Sequence, residues 1–292
     1  MDWIDAHHHL WDLSRIRYPW LMARGEKRFF GQPDPIRKDY LPGDFRRDTA
    51  GRIAQSVHIQ VGARPEDELA ETAFIDECSA ASGGVLPAAA VVAIDMGQPD
   101  ITRDLSAHLA YGVVRGVRHM IGKSPEENHL LPPFRPRVWI PNFKRLVPKQ
   151  LTFDLQLTED QYGAVLDALH EVPELKVAIC HLASPWDRSA AGFSRWKRWM
   201  RRFSELPGMH MKISGLSMFT QCWDPQGFRR YAEASLDIFG AGRCMFGSNF
   251  PVDSLYVSYD DLLDAWVSVS SACSESDARL LAGETARSFY RL

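Results

Sequence analysis

Three consecutive histidines lie near the start of the chain, in the segment IDAHHHLWD at residues 4–12. The segment is apolar enough for a strand, and successive side chains of a strand point to opposite faces. His7 and His9 are therefore expected to share one face, while His8 points to the other. Two imidazoles spaced in this way can bind one metal ion from a single strand. The alternative is that both are core histidines with ordinary hydrogen-bond partners.

Other polar side chains occur at the ends of apolar runs elsewhere in the chain. His181 directly follows the run LKVAIC and is a candidate third ligand. Three protein ligands leave a position of the metal open for water or substrate. Ionisable groups in otherwise apolar strands cost free energy unless they serve a site. The other candidates are His58, Gln60, Arg118, His119, Asp154, Gln156, Lys212, Ser214, Asn249 and Asp253.

The elements that would position these residues alternate between short apolar runs and longer amphipathic stretches. This alternation predicts an α/β fold, a (β/α)8 TIM barrel, and a single domain over residues 1–292. In such a barrel the C-terminal ends of all strands meet on one face, where the site residues would converge. The predicted strands are 3–8, 56–61, 85–94, 113–120, 151–157, 175–180, 209–214 and 243–248, and the predicted helices include 65–82, 158–172, 224–240 and 274–292.

Two stretches, 12–50 and 122–143, show little periodicity and are rich in proline, arginine and aromatic residues. Irregular segments of this length in a compact domain are usually functional. Each follows a predicted strand, so both are expected as long loops over the C-terminal face of the barrel.

The composition excludes several classes of function. The net charge is −3 and both signs are mixed along the chain, so we expect no nucleic-acid partner. There is no apolar run of the ~18 residues that a membrane span needs, and no membrane role is expected. The five cysteines are scattered and form no CxxC pair, which predicts reduced thiols in a cytoplasmic protein.

The motifs together resemble a known family. The segments IDAHHHLWD, RGVRH, CHLASP, MKISGL and RCMFGSNFPVD follow one another as in the amidohydrolase-2 family of TIM barrels, and the closing ETARSFYRL is similar to that family's last helix. The resemblance covers nearly the whole chain. It implies that His7 and His9 are the metal-binding pair of strand one, that His181 is the strand-six histidine, and that the end of strand eight carries an essential group. Members that resemble this chain include sugar lactonases and pyrone-dicarboxylate lactonase.

The chain departs from the family at two positions. Many members carry an aspartate where this chain has Asn249, and metal-binding relatives often carry a histidine at the end of strand five, where this chain has Gln156. An amide cannot act as a general base and is a poorer ligand than a carboxylate. Asp253 or Asp154 could supply the carboxylate. The expected cofactor is a divalent metal ion, with zinc favoured, iron or manganese as alternatives, and metal-free chemistry left open.

We therefore predict a hydrolase that opens a lactone or related cyclic ester on a small anionic or polyhydroxy substrate. His7, His9 and His181 would bind the metal or, without it, donate hydrogen bonds to the carbonyl. The expected catalytic residues are Asp253 as the base, Asn249 and His181, and the expected substrate contacts are His58, Gln60, Arg118, His119, Gln156 and Lys212. The alternatives are an iron- or manganese-dependent oxygenase or a decarboxylase on the same barrel, or an inactive partner subunit. An oligomer is left open.

Overall fold

The computed structural model describes residues 2–292, which contain one parallel sheet of eight strands in the order of the chain. The sheet nearly closes on itself. Across the gap between the last strand and the first, the Asn249 N–H donates to the His7 carbonyl at 2.7 Å and the His9 N–H donates to the Phe250 carbonyl at 2.8 Å. The predicted (β/α)8 barrel is confirmed. Its strands are β1 Trp3–His8, β2 Ile53–Ile59, β3 Ala89–Ala93, β4 Val114–Met120, β5 Thr152–Gln156, β6 Val177–Ile179, β7 Met209–Ile213 and β8 Cys244–Phe246.

The helices lie between the strands and cover the outside of the barrel. The predicted helix at 224–240 begins where Asp224 accepts a hydrogen bond from the Gly227 N–H at 2.9 Å. The predicted helix at 274–292 is instead divided by a π-helical turn at Leu280–Glu284. The α-helices are α1 Pro19–Met22, α2 Pro42–Asp48, α3 Glu68–Ala81, α4 Thr102–His108, α5 Pro136–Leu146, α6 Tyr162–His170, α7 Ala190–Ser204, α8 Leu216–Thr220, α9 Pro225–Phe239, α10 Tyr259–Ser271, α11 Glu275–Arg279 and α12 Thr285–Tyr290.

The sequence predicts an irregular segment over 122–143, but the structure has a helix from Pro136 to Leu146. Helix α5 begins at Pro136, where a missing N–H costs nothing because the first N–H groups of a helix have no partner within it. Trp139 and Phe143 form the buried face of this helix. The prolines that suggested a loop therefore begin and interrupt a helix.

The first strand contains a β-bulge that decides which side chains enter the barrel. Asp5 pairs with Ser56 and His8 pairs with His58, so three steps along β1 match two steps along β2. Ala6 and His7 consequently both face the interior, whereas His8 points outward and stacks on Phe45 with ring centroids 4.2 Å apart. Before the bulge, β1 directs apolar side chains into the barrel; after it, β1 directs histidine side chains into the barrel.

The last helix closes the lower end of the barrel. Phe289 and Tyr290 pack with the small interior residues of the strands, including Ala6, Ala89 and Ala178. Small strand residues leave room for these two rings. None of the helices in residues 2–292 is long and apolar enough to cross a membrane, and the five cysteines are unpaired.

Candidate active site and metal centre

A cavity of about 700 Å³, including its open mouth, lies over the C-terminal ends of the strands. Strand-end residues form its floor and the segments after β1, β4, β7 and β8 form its walls. Six of the predicted site residues reach it. The lining residues are His9, Trp20, Arg28, Phe29, Phe30, Gln60, Val61, Arg118, Met120, Lys123, Glu127, Gln156, His181, Met218, Asn249 and Val252.

Two predicted ligands, His9 and His181, line the floor of this cavity, and the third, His7, lies buried directly against them. The ring centroid of His7 lies 4.4 Å from that of His181 and 5.1 Å from that of His9. His7 is fully buried, and neither of its ring nitrogens has a hydrogen-bond partner among the described residues. Burial lowers the pKa of His7 and of His181 well below the ordinary value, with neighbouring positive charges adding to the effect. Burial also lowers the pKa of His9, to about 4. All three histidines are therefore neutral at pH 7, the form in which imidazole binds metals.

His9 and His181 are oriented by hydrogen bonds from their other ring nitrogens. His9 Nδ1 lies 2.8 Å from the Ile59 carbonyl oxygen, and His181 Nδ1 lies 2.9 Å from Ser214 Oγ. Such bonds fix the tautomer and the ring orientation of a metal-binding histidine. The orientation leaves Nε2 as the free nitrogen of His181.

The backbone that carries His181 is strained. His181, Leu182, Ala183 and Ser184 all have φ between 53° and 56°, in the left-handed region that residues other than glycine rarely adopt. The Trp196 indole N–H, from α7, donates to the Leu182 carbonyl at 2.7 Å, and the Tyr162 hydroxyl, from α6, donates to Ala183. Two outer helices thus hold the turn that places His181 at the floor of the cavity.

Asn249 and Asp253 form a buried pair after β8. Asn249 Nδ2 donates to Asp253 Oδ1 at 2.8 Å, and Asn249 Oδ1 lies 3.3 Å from His9 Nε2. Burial raises the pKa of Asp253 to about 7. Asp253 does not line the cavity, whereas Asn249 lines it and contacts both Asp253 and His9. The expected general base therefore has no direct path to a water molecule in the cavity.

Below the histidines, Asp154 forms a second buried polar cluster. The Lys212 ammonium donates to Asp154 Oδ2, and the Tyr290 hydroxyl contacts both carboxylate oxygens at 2.9 and 3.1 Å. His7, Asp154 and Cys180 are the three-residue group in 2–292 whose potential ligand atoms all lie within 4.8 Å of one another. The adjacent ammonium opposes a cation at this lower position. Lys212 is fully buried beneath the cavity, so it is not placed to contact substrate.

Arg118 projects from β4 into the cavity without an acidic hydrogen-bond partner in residues 2–292. Its guanidinium donates to the Gln60 carbonyl at 3.3 Å and to the Gln156 side chain, which are both neutral. Its Nε has no hydrogen-bond partner among the described residues, and the residue is only 5% exposed. A buried cation whose protein contacts are neutral is suited to bind an anion that enters the cavity.

Two predicted substrate contacts lie on the outer face of the barrel. His58 Nδ1 accepts a hydrogen bond from the Leu10 N–H at 3.1 Å, and His119 Nδ1 accepts one from the Met96 N–H at 2.9 Å. The ring of His119 also packs on Trp139 of α5. Side chains alternate along a strand, so Arg118 and His119 cannot both enter the cavity. The structure does not bring His58 or His119 to the site.

Sequence reasoning did not single out the apolar walls of the cavity. Trp20, Phe29 and Phe30 come from the long segment after β1, and Met218 and Val252 come from the segments after β7 and β8. The aromatic content of residues 12–50 was the available signal. It could not be used residue by residue, because the path of an irregular segment has no period from which to derive contacts.

Comparisons with known proteins agree with this architecture. The model of the amidohydrolase family matches residues 4–292, and the chain belongs to that family. A Sinorhizobium fredii protein designated y4mH is 32% identical over 294 residues, covering 99% of this chain and 98% of its own. An L-fucono-1,5-lactonase of Burkholderia ambifaria is 27% identical over 298 residues, covering 99% and 95%. An amidohydrolase of Burkholderia multivorans, crystallised with bound zinc, superimposes with a TM-score of 0.81 at 24% identity and covers 100% of both chains.

Proposed function

We propose that this protein hydrolyses a small lactone or related cyclic ester in the cavity over the strand ends, with the help of a divalent cation. The observation that carries the proposal is the group of three imidazoles at the floor of the cavity: His9 and His181 line it, and the fully buried His7 beside them has two ring nitrogens without a hydrogen-bond partner among residues 2–292. Similarity to L-fucono-1,5-lactonases at 27–28% identity supports a lactone as the substrate.

The donor types at the floor suit a divalent cation, although the ligand atoms of the three histidines, unlike those of His7, Asp154 and Cys180, are not all within 4.8 Å of one another in residues 2–292. A buried nitrogen without a partner costs free energy that a ligand removes. Neutral imidazoles are ligands that suit zinc and also iron, whereas manganese favours oxygen ligands. His7, His9 and His181 are the residues that would bind the ion. The lower group around Asp154 is less suitable, because its carboxylate already pairs with the Lys212 ammonium.

A bound divalent cation would polarise the lactone carbonyl and lower the pKa of a water molecule towards ~7, so that no separate carboxylate base is needed. Arg118 would bind a carboxylate or hydroxyl of the substrate, with Gln60 and Gln156 as neutral donors and acceptors around it. The walls formed by Trp20, Phe29 and other apolar residues would exclude bulk water from the ring.

The test is a hydrolysis assay with purified protein, first stripped of metal and then supplied with zinc, manganese, iron or cobalt. The substrates are sugar-acid lactones and carboxylated unsaturated lactones, with proton release followed by a pH indicator. His9→Ala and His181→Ala are each expected to lower kcat/KM by about 100-fold or more. His170→Ala, an exposed position on α6, is the matched control and is expected to retain full activity.

An unchanged rate in both His9→Ala and His181→Ala would remove this mechanism. If the iron- or manganese-loaded protein consumes oxygen and opens no lactone, the protein is an oxygenase and not a hydrolase. A folded protein that binds metal but is inactive on the whole panel would favour a supporting role for the chain.

A further inference from the structure

The contact between His9 and Asn249 brings two hydrogen-bond acceptors face to face. His9 Nδ1 lies 2.8 Å from the Ile59 carbonyl oxygen, which can only accept, so Nδ1 carries the hydrogen. In a neutral imidazole the other nitrogen, Nε2, then carries a lone pair. Asn249 Oδ1 lies 3.3 Å from that nitrogen and also has only lone pairs to offer. Nothing in this pair can donate a hydrogen bond.

The orientation of the Asn249 amide follows from its other contact. Asn249 Nδ2 donates to Asp253 Oδ1 at 2.8 Å, and this bond directs Oδ1 towards His9. Reversing the amide would let Nδ2 donate to His9, but it would then place Oδ1 against Asp253 Oδ1. The reversed amide therefore requires a proton on Asp253. Three arrangements relieve this conflict: a cation held between the two acceptors, a second proton on His9 Nε2, or a reversed amide with a proton on Asp253.

The separation of the two acceptors matches that of neighbouring ligands of one ion. Two atoms that each lie ~2.0–2.1 Å from a tetrahedral ion are about 3.3–3.4 Å apart. Amide oxygens are accepted ligands for divalent cations, although weaker than carboxylates. Both atoms also lie at the wall of the cavity, because His9 and Asn249 line it.

We propose that Asn249 Oδ1 and His9 Nε2 are neighbouring ligands of the divalent cation, and that Asp253 is a positioning residue that orients the amide. This inference rests on the proposed function, since it assumes that the site binds a cation. It gives Asp253 a role that needs no access to the cavity, in keeping with its 1% exposure. It also makes the ligand set neutral, so the bound ion would keep its full charge towards substrate.

The test measures zinc affinity of the metal-free protein by competition with a chromogenic chelator, together with the visible spectrum of the cobalt-loaded protein. Asn249→Leu is expected to weaken zinc binding by about 10- to 100-fold and to change the cobalt spectrum, whereas Asn249→Asp should bind zinc at least as tightly as the wild type. Asn142→Leu removes a buried amide that contacts Met96 and Gln98 on another part of the barrel, and is expected to leave the affinity unchanged.

Variants of Asp253 separate positioning from direct binding. Asp253→Asn keeps an oxygen that can accept from Asn249 Nδ2, so zinc affinity within about threefold of wild type is expected. Asp253→Leu removes the acceptor and is expected to weaken binding by about 10- to 100-fold in protein that circular dichroism shows to be folded. A large loss in Asp253→Asn would contradict a purely orienting role.

The two proposals fail in different ways. If Asn249→Leu binds zinc like the wild type while His9→Ala does not, the amide is not a ligand and this inference is wrong, although the hydrolase proposal survives. If the wild type binds none of the tested metals, this inference falls, and the hydrolysis assay decides separately whether the lactonase proposal stands. If metal binds as expected but no lactone is opened, the proposed function fails and the ligand assignment is retained.

Discussion

The buried pair of Lys212 and Asp154 offers a sharp test of how the interior of the barrel is stabilised. Both side chains have no exposed surface, and the Lys212 ammonium donates to Asp154 Oδ2. The same ammonium lies 5.0 Å above the ring of Tyr290, whose hydroxyl also contacts Asp154. We expect Lys212→Met to destabilise the fold, because it leaves the carboxylate buried without its counter-charge.

The magnitude follows from the burial of the pair. Removing one partner of a buried ion pair typically costs about 3–5 kcal/mol. Methionine retains an unbranched side chain only one heavy atom shorter than that of lysine, so little of this cost comes from lost packing. At about 2–3 °C per kcal/mol for a chain of this size, Tm is expected to fall by roughly 10 °C. The double variant Lys212→Met/Asp154→Asn also removes the unpaired carboxylate. It is expected to recover most of the stability lost in Lys212→Met.

The assay is urea-induced unfolding at pH 7, followed by tryptophan fluorescence, for the wild type, each single variant and the double variant. A loss below about 1 kcal/mol in Lys212→Met, or a double variant no more stable than that single variant, would refute the reasoning. The double variant also tests the sequence-based prediction that Lys212 contacts substrate. An unchanged KM in the folded double variant means that Lys212 is structural, whereas a large rise in KM means that it reaches the substrate.

Two further predictions concern other buried positions. Burial raises the pKa of the Glu71 carboxyl group from 4.5 to about 8. The folded state therefore binds the carboxyl proton more tightly than the unfolded state. The contribution of this proton to the free energy of unfolding is fully present below pH 4.5 and is lost as the pH rises through 8. In urea unfolding, Glu71→Gln should therefore be more stable than the wild type by about 2–4 kcal/mol at pH 8 and about equally stable at pH 4.5. If the free energies of unfolding of the two proteins change with pH in parallel, this reasoning is wrong. A Cβ on Gly247 would lie 2.6 Å from His7 Cβ, so Gly247→Ala should displace His7 and weaken zinc binding about tenfold or more. Gly242→Ala, where a Cβ meets nothing within 4 Å, is the control, and equal zinc content in both variants would be the contrary result.

Much of the architecture was predictable from local patterns. The apolar runs and amphipathic stretches alternate regularly enough to predict eight strands and the barrel, because burial on both faces and helical periodicity leave distinct signatures. The ends of individual elements were less accurate. The predicted strand at 85–94 is observed as Ala89–Ala93, since Pro87 cannot donate to a neighbouring strand.

The sequence predicts most of the residues that lie near the candidate site but not which way each side chain faces. The sequence indicates that His7, His9 and His181 lie at strand ends, and alternation correctly separates His8 from its neighbours. It does not indicate that His58 and His119 face outward, because alternation says that adjacent residues differ without saying which one enters the barrel. It also does not reveal that Asn249 separates Asp253 from the cavity.

The sequence by itself determines the fold and the chemical types of the residues at the strand ends, because both depend on side-chain character repeated at short intervals along the chain. Only the tertiary structure decides which of those residues meet. The bulge in β1 arises from its pairing with β2, and it alone brings His7 into the interior after Ile4 and Ala6. The contact of Tyr290 with Asp154 joins residues 136 positions apart. Contacts of this kind depend on closing the barrel, and no local pattern encodes them.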